Sequence, residues 1–195
     1  RSYSVTGVQT CALPIWCLFV NELNRIPEST QNVLLSALDE KVLIIPKLKK
    51  IEAKNGFITI ATQNPAAHVG VSALGEALKD RFVWINVDYQ SELEEIAIVE
   101  QNMEKNQPHL QYISNIAVKV VRATREHPDI RRGASIRAAI DLAQLAQVYD
   151  SKPSAGFWYE AAIMALHSKI ELMDGIDRNA KDIIIEIVNS VLEHF

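Results

Sequence analysis

The chain has 195 residues, and 20 Lys+Arg against 24 Asp+Glu give a net charge of −4. That balance excludes a generally basic, nucleic-acid-coating protein, and apolar runs such as Ile15 to Val20 fall far short of the ~18 residues of a membrane span. With Cys11 and Cys17 as its two cysteines, the chain offers neither a disulfide framework nor a Cys-rich zinc site, and a reducing, cytoplasmic setting is the expectation.

Residues 1–15 lack both the helical and the strand period and do not read as a signal peptide. Val5 to Ile15 resembles the in-frame translation of a DNA sequencing adapter. A non-native segment over 1–15 is therefore expected, with native sequence starting near Trp16 and the 5′ part of the gene missing. Trp16 to Val20 is wholly apolar and predicts a strand buried on both faces. Pro27 suits the first turn of a helix running to about Glu40, with Val33, Leu34, Ala37 and Leu38 on one face. Residues 41–55 read as a β-hairpin or extended loop, and Asn55-Gly56 as a turn. Phe57 to Thr62 and Val83 to Val87 read as second and third buried strands, with a short helix between them around Leu74 to Asp80.

The character changes at Ser91. Ser91 and Glu94 fit a capping box, and helices are predicted at about 91–106, 111–126, 135–149, 157–170 and 179–194. Pro108, Pro128 and Pro153 fall between them. The expected organisation is an α/β part over 16–90 and an all-helical part over 91–195.

Four places can carry chemistry. In Asn21-Glu22 an apolar strand ends in a carboxylate, which is how P-loop ATPases place the acidic group that orients the attacking water. A strand running into a solvated turn would look the same. Asn64 follows the strand 57–62, where an amide can bond a terminal phosphate or the water; Asn64-Pro65 also suits a plain turn. Arg81 precedes the third strand, placed to reach a neighbouring subunit. An arginine supplied in trans to phosphoryl transfer is worth ~10³–10⁵ in rate; a surface ion pair with Asp80 or Glu76 is the simpler reading. Ser135 suits an N-cap, which puts Arg137 in the first turn of a helix. A cation is slightly unfavourable there unless an anion compensates it.

In order and spacing, these places resemble an AAA+ ATPase of the MoxR family. The motifs similar to that family are Asn21-Glu22-Leu23-Asn24-Arg25, Thr62-Gln63-Asn64-Pro65, Asp80-Arg81-Phe82 and Gly133-Ala134-Ser135-Ile136-Arg137-Ala138, and the similarity spans roughly 17–150. The resemblance implies a three-layer α/β P-loop core, here partial, followed by a helical lid. It implies ATP and Mg²⁺ as ligands and a ring, usually a hexamer, that remodels or activates partner complexes, often with a von Willebrand factor A protein. It gives Glu22 the role of catalytic glutamate and Arg81 that of arginine finger. Asn64 and Arg137 become the two nucleotide sensors. Asn21 falls where the family has its magnesium-associated aspartate, and its carbonyl could hold a metal-bound water.

The sequence departs from the family in three ways. Its G-x-x-x-x-G, Gly70 to Gly75, is followed by Glu76-Ala77 and is no P-loop. Asn21 is neutral, which weakens metal attraction. Ile136 stands where the family tends to have proline. Two other functions stay in view: a catalytically inactive scaffold subunit, motivated by Asn21, and a DNA-engaging motor using Lys41, Lys47, Lys49, Lys50 and Lys54, which against Glu52 give 41–55 a net charge of +4. The five histidines lack metal-site spacing.

Overall fold

The computed structural model describes residues 17–44, 50–64, 74–104, 109–148 and 153–195. The expectations for 1–15, Trp16, Pro46, Lys47, Lys49, Pro65, Gly70 and Pro108 lie outside the described residues. The chain divides into two compact units, Arg1–Asn86 and Val87–Phe195.

In the first unit, strand β1 (Cys17–Val20) pairs in parallel with β4 (Ile58–Ala61), in the register Cys17 with Ile58 through Val20 with Ala61. Helix α1 (Glu28–Asp39) follows β1, with Pro27 as its N-cap residue. It packs Leu34, Leu35 and Leu38 with Val20 and Ala61 around buried Leu23, Leu74 and Leu78. Leu78 comes from the short helix α2 (Glu76–Lys79). The 41–55 region is a two-stranded antiparallel ribbon, β2 (Val42–Leu43) with β3 (Ile51–Glu52). Gly56 then turns the chain with φ +89°, a backbone glycine adopts freely.

Three expectations are corrected here. β1 and β4 are covered on one face only: Phe19, Ile58 and Ile60 are 60%, 55% and 48% exposed. They share the pleat face with Cys17, while Leu18, Val20, Thr59 and Ala61 point the other way. Among the described residues α1 and α2 pack on the Val20 and Ala61 side alone. Residues 83–87 form no strand, and Val83, Ile85 and Val87 are almost fully exposed. A strand needs a ladder partner, and none of the described strands pairs with this segment. The helical part, third, is not all-helical.

The second unit has helices α3 (Glu92–Gln101), α4 (Leu110–Glu126), α5 (Ile136–Ala146), α6 (Ala155–Leu166) and α7 (Ala180–Leu192). They begin close to the predicted positions, while α3 ends at Gln101 and α6 at Leu166, short of the expected 106 and 170. Between them β5 (Ile130–Arg132) pairs with β6 (Glu171–Leu172) in a short antiparallel ribbon. Ion pairs of Arg131 with Glu171 and Asp174 lie along this ribbon. The α3 capping box is formed: Glu94 N–H donates to Ser91 Oγ, and Ser91 N–H donates to Glu94 Oε2 at 2.9 Å. The Ser91 hydroxyl, which donates to Glu94 Oε2 at 2.6 Å, and the Ser91 N–H together hold the Glu94 carboxyl below its ordinary range. Helix α4 is central and packs on α3, α5 and α7. The core it organises includes Ile113, Ile116, Val120, Leu142, Trp158, Leu166, Ile184 and Val188, each with no exposed surface. No helix among the described residues is long and apolar enough to cross a membrane.

Candidate functional site

The site in the first unit is built from parallel pairing. In register, β1 and β4 bring their C-terminal ends side by side, so residues some forty positions apart meet. Thr62 is the clasp. Its N–H donates to the Val20 carbonyl at 2.9 Å, and its carbonyl accepts from Leu23 N–H at 2.8 Å. Its Oγ1 accepts from Glu22 N–H at 3.0 Å and donates to Asn21 Oδ1 at 2.6 Å.

Glu22 sits between those bonds in the left-handed region, at φ 52° and ψ 51°. A glutamate there costs of order 1 kcal/mol and persists only where its surroundings over-determine it. Here Thr62 bonds the amides of Glu22 and Leu23, and the Leu23 side chain is buried. The turn lifts the Glu22 carboxylate off the strand direction toward Asn64, whose Nδ2 donates to Glu22 Oε1 at 3.4 Å. Arg25 Nε lies 3.3 Å from the other carboxylate oxygen. Buried Asn24 completes the frame: its Nδ2 donates to the Asn64 carbonyl at 2.7 Å, and its Oδ1 accepts from Asn64 N–H at 3.4 Å.

The structure therefore brings together Asn21, Glu22 and Asn64 of the predicted site residues. It adds two framing residues to which the sequence reading gave no role, Thr62 and Asn24. The signal for Thr62 was available: it is the first polar residue after an apolar strand and β-branched, suited to a fixed hydroxyl at a strand end. Asn24 had none, because its pairing with Asn64 is long-range.

Arg81 is half-engaged rather than free. Its Nε and Nη2 both bond the Asp39 carboxylate at 2.7 Å, and its Nη1 donates to the Ala77 carbonyl. The partner is Asp39 at the end of α1, not Asp80 or Glu76; Glu76 pairs with Lys79 instead. The fork of two bonds from Arg81 holds the Asp39 carboxyl below its ordinary range and raises Arg81 further. Both groups are solvent-accessible, so the pair orients Arg81 more than it stabilises the unit.

Arg137 belongs to the second unit. Ser135 is the N-cap residue of α5 with no side-chain cap bond, so Arg137 lies in the first turn, exposed. No hydrogen bond or ion pair engages its guanidinium among the described residues.

A magnesium ion is poorly served by these residues alone. Asn21 Oδ1 is a neutral oxygen already accepting from Thr62. Glu22 is the single carboxylate in the cluster and is shared by Arg25 and Asn64. No group of three or more His, Cys, Asp or Glu residues among the described residues could hold a metal.

Comparison with known proteins gives this geometry its family. Residues 7–84 match the model of the ATPase family associated with various cellular activities (AAA). The span overlaps the expected non-native stretch and takes in every site residue of the first unit. Chaperone MoxR1 of Mycobacterium tuberculosis is 40% identical over 83 residues, covering 42% of this chain and 22% of that protein. The chain resembles the AAA ATPases over this span and is MoxR-like among them. Gas vesicle ATPase GvpN of Ancylobacter aquaticus is 30% identical over 133 residues, 66% of this chain and 36% of that protein. The uncharacterized protein YeaC of Bacillus subtilis is 28% identical over 160 residues, 68% of this chain and 48% of that protein. The chain spans about half the length of these relatives, or less.

Proposed function

We propose that this chain is the water-activating and sensor-bearing part of a MoxR-type AAA+ ATPase that hydrolyses ATP and remodels or activates a protein client. The observation that carries the reading is the Glu22–Asn64 contact at the paired ends of β1 and β4. A carboxylate and an amide held there by Thr62 and Asn24 suit one task. Glu22 accepts a proton from the attacking water, and Asn64 donates to the γ-phosphate or the same water. The resting bonds of Glu22 to Asn64 and Arg25 are weak enough, at 3.4 and 3.3 Å, to be exchanged for substrate.

In this proposal Asn21 offers its amide N–H₂ to phosphate, since its oxygen faces Thr62. Any magnesium would be held by the nucleotide's phosphates, because Asn21 and Glu22 offer it little. Arg81 comes from a neighbouring copy in a homo-oligomeric ring, a hexamer by family likeness, and leaves Asp39 to meet the transferred phosphoryl group. Arg137 answers from the helical unit. Both cations stabilise charge that grows in the transition state. A von Willebrand factor A protein is the expected partner class.

The test is Mg²⁺-dependent phosphate release by the complete natural protein, with Glu22→Gln beside it. Loss of a positioned general base lowers the rate by about 10²–10⁴; an unchanged rate sinks the assignment. Asn21 favours a second reading, a nucleotide-binding scaffold subunit without turnover. Background phosphate release from a complete protein that still assembles would select it. Sequencing the gene upstream of the Trp16 codon bears on both readings, because G-x-x-x-x-G-K-[ST] after a strand is what hydrolysis needs.

A further inference from the structure

The loop that leads into α5 is fastened to the last turn of α4. Ala134 is fully buried, and both polar groups of its backbone are engaged. Its N–H donates to Thr124 Oγ1 at 2.9 Å, and its carbonyl accepts from Arg125 Nε at 2.9 Å. Gly133 approaches so closely that a Cβ on it would lie 2.6 Å from Arg125 Cα. Glycine is required here by contact with backbone, which cannot swing aside.

The Arg125 side chain is only 11% exposed, and its guanidinium has further engagements. It lies over the ring of Tyr89, 3.8 Å from the centroid. Its Nη1 is 2.8 Å from Glu95 Oε1, on a carboxylate with 1% exposure. Arg122, one turn earlier, takes Glu95 Oε2 at 3.0 Å and donates to the Gln90 carbonyl at 3.2 Å. A single guanidinium thus touches the extended stretch at Tyr89, the start of α3 and the loop at Ala134. Tyr89 stands just inside the second unit, which begins at Val87. Arg137 stands three residues past Ala134.

We propose that Arg125 is a positioning residue that sets the placement of Arg137 according to the course of the stretch at Tyr89. A shift of that stretch moves the ring under the guanidinium. The guanidinium carries the Ala134 peptide, and the peptide carries the first turn of α5. Arg is needed because one planar fork must stack, pair and bond a carbonyl together; a lysine ammonium cannot do all three. The functional weight of this coupling rests on the role given above to Arg137, and the geometry of the coupling does not.

The test uses Tyr89→Ala and Tyr89→Phe. Tyr89 is 57% exposed, so both variants fold. Hydrogen exchange of the Ala134 amide is measured on the 195-residue chain. Steady-state ATP hydrolysis by the complete protein is measured with Arg137 and with Arg137→Ala. Removing the ring speeds Ala134 exchange by about threefold to tenfold, the size of a partly exposed cation–π contact; Tyr89→Phe leaves it unchanged. Tyr89→Ala lowers kcat/KM by a similar factor with Arg137 present and has little effect once Arg137 is gone. Unchanged exchange, or an equal loss of kcat/KM in both backgrounds, overturns the proposal. If no form of the complete protein hydrolyses ATP, the functional reading falls and Ala134 exchange alone decides the coupling.

Discussion

The two units solve the burial problem in different ways. The helical unit closes a core from five helices, and residues from α4, α5, α6 and α7 reach zero exposure. The α/β unit has four buried apolar side chains among the described residues, Leu23, Ala37, Leu74 and Leu78. It leaves Phe19, Ile58 and Ile60 open on one face of its parallel pair. A helix carries all its backbone bonds within itself and needs only one apolar stripe covered. A parallel strand needs a ladder partner and cover on both faces. The helical unit is therefore self-sufficient, while the sheet depends on what lies around it. Stability and chemistry separate accordingly. The rigid packing is in the helical unit, and the strained carboxylate and polar clasp are in the lightly packed one.

The widest gap expected between the units is at core aromatics. Trp158→Ala removes a fully buried indole and should destabilise the helical unit by about 3–5 kcal/mol. Phe19→Ala on the open sheet face should cost well under ~1 kcal/mol by the same denaturant titration. Equal costs would abolish the contrast. Next comes Glu95→Ala, which strands two arginines around a buried site and should cost about 3–5 kcal/mol. The exposed Arg81–Asp39 fork, removed by Asp39→Ala, should leave the melting temperature almost unmoved.

Gly133→Ala should cost about 1–3 kcal/mol or more, because its Cβ meets the Arg125 backbone. Gly75→Ala, with nothing within 4 Å of its Cβ, should change stability by only a few tenths of a kcal/mol to ~1 kcal/mol. The smallest effect is on pH dependence. Glu94, bonded by Ser91, and Glu186, bonded by Arg178, both lie below the ordinary glutamate range in the folded helical unit. A depressed carboxyl contributes stability above its unfolded pKa and loses it as pH falls through the folded one. The helical unit's melting temperature should hold steady near neutrality and drop below about pH 4. The combined variant Glu94→Gln/Glu186→Gln should flatten that drop.

Much of the helical unit was legible in the sequence. Ser91 and Glu94 announced a start, prolines marked the gaps, and Ile183, Ile184, Ile187, Val188 and Val191 showed a buried stripe that the structure keeps buried. The β5–β6 ribbon was not legible, because Ile130–Arg132 and Glu171–Leu172 are too short for period-two alternation to register. In the site, Asn21, Glu22 and Asn64 could be named from their places after apolar runs. Their clasp through Thr62 and Asn24 could not, since each bond spans about forty residues. The partner of Arg81 was misread for the same reason: Asp80 and Glu76 are near in sequence, whereas Asp39 is near in space.

By itself the sequence determined the helices, the capping box of α3 and the chemistry-bearing residue types, because those follow from periodicity and composition within one or two turns. The tertiary structure alone decided four things. It opened one face of the β1–β4 pair and left Val83 to Val87 unpaired. It forced Glu22 into a left-handed turn, and it gathered Tyr89, Glu95, Arg125 and Ala134 around one guanidinium. Each depends on which distant segment supplies a hydrogen-bond partner or a cover, and local pattern carries no record of that.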